Sequence, residues 1–356
     1  MSHRLRPAGF VVLAAILASG AAYLVFELAV QGLARLGAIG EYADYRYFQE
    51  HLVASLARDG HHPQAPVDSE LGWIQASTAF GPATGSDGGP PTTILFLGDS
   101  VTWGDAAVRG ESDYVSRVAA ALAPRGIRVV NAASSGYGVD QMMLRLPRET
   151  EAWSPAFVVV AYIPHDLLRV GRSRFIRLTK PRVEVSGAAL VVHPPRDLEG
   201  FYAEQGRALR GLHYGPWLLA ERFAQRRAEV PGLYLDWYAA VLDRIAARTA
   251  AGARRADSAL WFVEIPNHAD AEAEALLAPI MRDVLRAGEA AGQYRFTRLE
   301  PCLRERAAPA AWPTPEFTAP HPGPEGHAEL SACMLAEVVR PFLAGAGESG
   351  ARPATP

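Results

Sequence analysis

Lysine is almost absent from these 356 residues: Lys180 is the only one, and arginine supplies the rest of the basic charge. Mechanisms that need a second lysine are therefore excluded, and Lys180 itself lies in a polar stretch that reads as surface. Cysteine is nearly as scarce. Cys302 and Cys333 show no CxxC and no His–Cys spacing of the kind that holds a metal. In an oxidising compartment the two can pair; buried free thiols are the other reading. Net charge is small, formally −3, which leaves no basic footprint for nucleic acid. There is no internal repeat, no clustering of metal ligands and no Gly-rich loop to cradle phosphate, so neither metal nor cofactor is expected. What remains is 49% hydrophobic and 21% charged, enough for a sizeable core in one large α/β domain plus an accessory segment.

Ala8–Phe26 is a run of nineteen residues without charge, with Arg4 and Arg6 before it and Glu27 just after. Such a run crosses a bilayer as a helix, with residues 1–7 on the cytoplasmic side by the positive-inside rule. A single-pass anchor over residues 8–27, left uncleaved in the inner membrane with the main domain in the periplasm, is the expectation. A signal peptide cut near Ala18-Ser19-Gly20 and a buried core helix are the alternatives. Residues 34–64 read as an amphipathic helical stalk, and 81–91 (GPATGSDGGPP) as a Gly/Pro linker, so that 28–91 is an arm outside the main domain.

From residue 92 short apolar runs alternate with helical stretches. TTILFL (92–97), IRVVN (127–131), FVVVAY (157–162) and ALWFVEI (259–265) read as buried strands, with a weaker one at 294–299. Helices are expected near 112–124, 138–152, 235–251, 269–291 and 324–344. That alternation predicts a parallel sheet covered on both faces, spanning 92–345, with an insertion at about 170–230 and a disordered tail over 346–356. The aromatic group Trp217, Tyr234, Trp237 and Tyr238 is at helical spacing and reads as core. Glu264 and His268 flank the end of a strand, where a solvated loop is the plainer reading.

Gly98-Asp99-Ser100 follows the first of these strands, at the carboxyl end where open α/β folds bind ligands. A serine on such a turn can aim its hydroxyl into a cleft beside backbone N–H groups; equally, Asp99 and Ser100 can simply cap the next helix. Gly136 in VVNAASSGYGVDQ (129–141) suits a positive-φ turn or an exposed backbone N–H. His321 and His327 stand in TAPHPGPEGH (318–327) before the last helix.

LFLGDSVTWG (95–104), the 129–141 stretch and TAPHPGPEGH together, in this order, resemble the blocks of the SGNH/GDSL hydrolase family. The resemblance covers roughly residues 65–345. It implies a three-layer α/β/α sandwich, flavodoxin-like, around a five-stranded parallel sheet. It also implies Ser100 as nucleophile, His321 as general base, His327 as a structural histidine and an oxyanion hole from Ser100 and Gly136. Two positions depart from the family. The third block reads Tyr162-Ile163-Pro164-His165-Asp166, with His165 where the family has an asparagine; a histidine can also donate to an oxyanion. The acid before the histidine is replaced by Thr318, and Glu316, two residues earlier, is the candidate substitute if the loop curls. The activity implied is ester hydrolysis of an acyl ester, with an O-acetyl group on an envelope or exported glycan preferred. Two alternatives use the same residues or none of them: a polysaccharide O-acetyltransferase served by a membrane acyl-donor partner, and a catalytically impaired domain that binds or assembles.

Overall fold

The computed structural model describes residues 7–36, 67–85, 88–105, 107, 110–175, 178–211, 213–307, 313 and 315–348. Most of the expected stalk (34–64), two residues of the linker and most of the expected tail lie outside the described residues. The chain forms two compact units, Met1–Gln64 with Arg196–Gln225, and Ala65–Pro195 with Arg226–Pro356.

The larger unit is built on six strands: β1 (Thr78–Phe80), β2 (Thr93–Leu97), β3 (Arg128–Asn131), β4 (Phe157–Tyr162), β5 (Ala259–Glu264) and β6 (Arg295–Arg298). They lie in the order β6-β5-β4-β2-β3-β1. The five from β2 to β6 are parallel, with Leu95 level with Val130 on one side and Val158 on the other. β1 runs antiparallel along the β3 edge, Ala79 opposite Val130. The sheet is therefore mixed and six-stranded, one strand more than the five-stranded parallel sheet expected. Three residues are too few to show a period, and they fall in the stretch that reads as an arm.

The period-2 alternation of the strands feeds two cores. Ile94, Phe96, Val129, Phe157, Val159 and Val263 face one helical layer, which includes Tyr114–Leu122 and Pro324–Met334. Leu95, Leu97, Val130, Val158 and Val160, equally buried, face the helices Val139–Trp153 and Leu235–Arg255. The result is an α/β/α sandwich. Helix Tyr114–Leu122 begins where Asp113 accepts the N–H of Ser116 at 2.9 Å. Helix Val139–Trp153 begins where Gln141 Oε1 accepts from Gly138 at 3.2 Å, and ends at Ser154, whose φ is +43°, before Pro155. The inserted segment contributes a hairpin, Arg182–Ser186 with Ala189–His193, to the larger unit.

Lys180 corrects the surface reading. It is 1% exposed, and its Nζ donates to Asp140 Oδ2 at 2.5 Å and to the Arg169 carbonyl at 3.1 Å. Glu264 is likewise 1% exposed rather than on a solvated loop: Arg282 and Arg298 both reach its carboxylate from β6 and the helix Ala271–Ala290. Cys302 and Cys333 are joined by a disulfide, Cα–Cα 5.8 Å, tying Glu300–Arg306 to Pro324–Met334.

In the smaller unit, helix Pro7–Arg35 is long and apolar enough to cross a membrane over Val11–Ala34. Helices Leu198–Arg210 and Tyr214–Glu229 pack on it around Ala34, Ala208, Leu209 and Tyr214.

Candidate active site

β2 ends at Leu97, and the chain turns through Gly98 and Asp99 into the short helix Ser100–Trp103. Gly98 is required by crowding: a Cβ there would lie 2.3 Å from Thr102 Oγ1 and 2.8 Å from the Ala161 carbonyl of β4. Asp99 caps the helix, accepting from Val101 N at 3.0 Å, so the capping reading holds for Asp99. Ser100 occupies the first helical position, 4% exposed, with its Oγ donating to Asp99 Oδ2 at 3.3 Å.

Behind this turn is a buried charge cluster. Arg169 Nη1 donates to Asp166 Oδ1 at 2.5 Å, the Tyr137 carbonyl at 2.8 Å and Asp99 Oδ2 at 3.4 Å. Asp166, fully buried, also accepts from Ile163 N. Burial, with Asp99 adding to it, pushes the Asp166 carboxyl well above the usual carboxylate range.

The second loop is fastened directly to the serine turn. Ser134 N donates to the Gly98 carbonyl at 3.1 Å, and Asn131 Nδ2 to the Thr102 carbonyl at 2.8 Å. Gly136 has φ +81°, and a Cβ on it would meet the Phe175 ring at 2.8 Å, so both backbone conformation and space demand glycine. The segment before β1 braces this loop from outside: Trp73 Nε1 donates to the Ser135 carbonyl, Ser135 N donates to Gln75 Oε1, and Tyr137 Oη to the Trp73 carbonyl.

His321 lies on the loop between Pro315–Thr318 and Pro324–Met334. His268 N donates to the Phe317 carbonyl at 3.0 Å, which pins this loop to the segment following β5. Its Nε2 is 3.9 Å from Asp105 Oδ2, and the same oxygen accepts from Ser135 Oγ at 2.7 Å. Asp105 N in turn donates to the Ser100 carbonyl at 3.0 Å. One carboxylate thus sits among the serine turn, the second loop and the histidine loop. Sequence reading missed Asp105; its only signal is position, five residues after the serine, where the motif prescribes no acid.

Glu316 has a different task. Its Oε2 accepts from Gly323 N at 2.5 Å and Gly326 N at 3.4 Å, capping the turn into the last helix. Thr318 is exposed and turns its hydroxyl back onto the Pro315 carbonyl. His327 is fully buried, stacked on Tyr114, with Nδ1 accepting from Tyr114 N at 3.2 Å; burial holds its pKa below the usual value.

His165 opens the helix His165–Val170, and its Nδ1 is 2.5 Å from Asp270 Oδ2. With Nδ1–H donated to that carboxylate, the neutral ring has no proton on Nε2. His165 can therefore donate to an oxyanion only as imidazolium. Burial and the nearby Arg169 lower its pKa, against the pull of Asp270.

No family model and no curated protein matches the chain. Among solved structures it is similar to TesA, at 17% identity and a TM-score of 0.42 over 69% of this chain and 97% of that one. It is also similar to Axe2, an acetylxylan esterase from Geobacillus stearothermophilus, at 21% identity and 0.39 over 69% and 93%. The S15A catalytic mutant of Axe2 matches at 19% and 0.40 over the same shares. At such scores and identities these likenesses carry no inference about this chain, whose chemistry has to come from its own residues.

Proposed function

We propose that this chain is a serine-dependent ester hydrolase of the SGNH type, with Ser100 as nucleophile and His321 as general base. The observation that carries the reading is Asp105: it joins the serine turn through its backbone, the Gly136 loop through Ser135, and stands beside the His321 imidazole. Two of these loops follow the adjacent parallel strands β2 and β3 at their carboxyl ends, where such folds do chemistry, and Asp105 stands beside the third, the histidine loop.

In this mechanism Ser100 Oγ leaves Asp99 and attacks the ester carbonyl as its proton passes to His321. The negative oxygen of the tetrahedral intermediate is met by the backbone N–H groups of Ser100 and Gly136. Collapse expels the alcohol, which takes the proton from His321, and leaves an acyl-enzyme that water resolves. The imidazolium formed at both stages has the Asp105 carboxylate next to it, the service that residue 318 does not supply. His165 adds a donor only when protonated.

The preferred substrate is an O-acetyl ester, on an envelope or exported glycan, and the enzyme is held by helix Pro7–Arg35 with its larger unit outside the cytoplasm. The disulfide and the Arg4/Arg6 flank support that placement. A fluorophosphonate probe tests the nucleophile: wild type labels and Ser100→Ala does not. Equal labelling of the two overturns the reading. An acetyl-ester assay with and without glycan acceptors then separates hydrolysis from transfer.

A further inference from the structure

The smaller unit carries a surface that the proposed chemistry does not use. Helix Tyr214–Glu229 turns Tyr214 and Gly215 inward, with Trp217 and Leu218 packed against a cluster that includes Ala34 and Val30 of the apolar helix. At its start the N–H groups of Tyr214 and Gly215 donate to the two carboxylate oxygens of Glu27 at 2.5 and 2.9 Å. Gln31 Nε2 adds a third bond at 2.9 Å. Glu27 is fully buried, and it is the only acidic residue in helix Pro7–Arg35. Gly215 permits the approach, since a Cβ there would lie 2.7 Å from the Phe26 ring.

The opposite side of the same helix presents Pro216, Leu219, Ala220 and Phe223, all exposed; Leu219 is 62% and Phe223 65% accessible. Their spacing, i, i+3, i+4, i+7, is that of the apolar stripe an amphipathic helix turns toward a nonpolar phase. The phase is indicated by where the helix is fastened. The uncharged run Ala8–Phe26 ends at Glu27, and nineteen residues at ~1.5 Å each span about 28 Å, the thickness of a bilayer's hydrocarbon layer. The first turn of the Tyr214 helix is held at Phe26–Glu27, inside the membrane-capable stretch Val11–Ala34 and at the headgroup level where the uncharged run alone fills the hydrocarbon layer. Beyond that level the apolar helix still exposes Leu28 and Leu33. A stripe at this depth meets acyl chains and headgroups rather than bulk water.

We propose that Tyr214–Glu229 is a second membrane contact, an interfacial helix that lays Pro216, Leu219, Ala220 and Phe223 on the bilayer beside the anchor. The inference rests on helix Pro7–Arg35 being retained as an anchor, and the test separates the two. Full-length protein carrying Leu219→Cys, Ala220→Cys or Phe223→Cys is labelled with an environment-sensitive fluorophore; the native cysteines, bonded to each other, do not react. Each variant is reconstituted into phosphatidylethanolamine/phosphatidylglycerol vesicles containing lipid spin-labelled near the headgroup, and intact mass verifies that residues 7–35 are present. Arg248→Cys, exposed on helix Leu235–Arg255, is the reference. Blue-shifted emission and quenching several-fold stronger at 219, 220 and 223 than at 248 is expected. Quenching equal to that at 248 in a chain of full mass overturns the interfacial helix while leaving the anchor intact. Blue-shifted emission without lipid quenching also overturns it, because a protein surface then covers the stripe.

Discussion

At His321 the nearest carboxylate comes from the serine side of the site, not from the histidine's own loop. Asp105 touches the imidazole at 3.9 Å and is one-third exposed, so its hold is weaker than that of a buried hydrogen-bonded acid. Asp105→Asn is accordingly expected to lower kcat on an acetyl ester roughly ten- to hundredfold, less than the full loss of a triad acid. Glu316→Gln, which keeps an acceptor for Gly323 and Gly326, is expected to leave kcat within about twofold of wild type, since a shift of that size is under 1 kcal/mol. Equal losses in the two variants would dismiss the role given to Asp105. The lone lysine makes a different demand. Lys180 and Asp140 are both wholly shielded, and burial lowers the lysine pKa against the attraction of its partner. Lys180→Met strands the carboxylate and is expected to destabilise by about 3–5 kcal/mol, whereas Lys180→Met with Asp140→Leu recovers most of that loss. Urea unfolding of the three proteins checks it; a double variant no better than the single one counts against a charge effect.

Among the elements, the disulfide has the clearest consequence. It closes a segment of 31 residues that contains Glu316 and His321, and so limits how far the histidine loop can wander in the unfolded chain. Cys302→Ser with Cys333→Ser is expected to lower stability by about 4 kcal/mol on loop-entropy grounds. Thermal unfolding with and without reductant measures this, and no change in wild type on full reduction would refute it. The elements also mark how far the sequence could be read. β2 to β5 were evident because each is a buried apolar run with turn residues after it, and the serine turn followed from β2. β1 was not, since Thr78-Ala79-Phe80 shows no pattern and owes its strand to β3. Asp105, Lys180 and Glu264 were misjudged or missed for one shared reason. Their environments are set by residues far along the chain (His321, Asp140, Arg282 and Arg298), and local polarity gives no hint of such partners. The oxyanion role expected of His165 depended on a tautomer, and Asp270, which fixes it, lies more than a hundred positions away.

For the molecule as a whole, pH dependence follows from imidazoles kept neutral by burial. His165 and His327 both titrate below the usual histidine value in the folded state. Their contribution is complete above about pH 6.5, the unfolded value, and is lost as pH falls through the lowered folded values. Asp166, raised in the folded state, acts in the opposite sense as pH falls. The comparison that isolates the histidine is therefore between wild type and His327→Gln, whose amide oxygen can still accept from Tyr114 N. The loss of urea stability from pH 7.5 to 5 is expected to be smaller in the variant; identical losses would show that His327 does not carry it.

The larger unit is assembled from two stretches of chain, and that has a bearing on its birth at the ribosome. Strands β1 to β4, with Ser100 and Gly136, are synthesised before the excursion at Arg196–Gln225; β5, β6 and His321 come after it. A growing or clipped chain that stops short of His321 holds the proposed nucleophile, Ser100, on an unfinished platform without the proposed base. Under the proposed mechanism reactivity arrives only when synthesis passes His321, by which time helix Pro7–Arg35 has long since emerged.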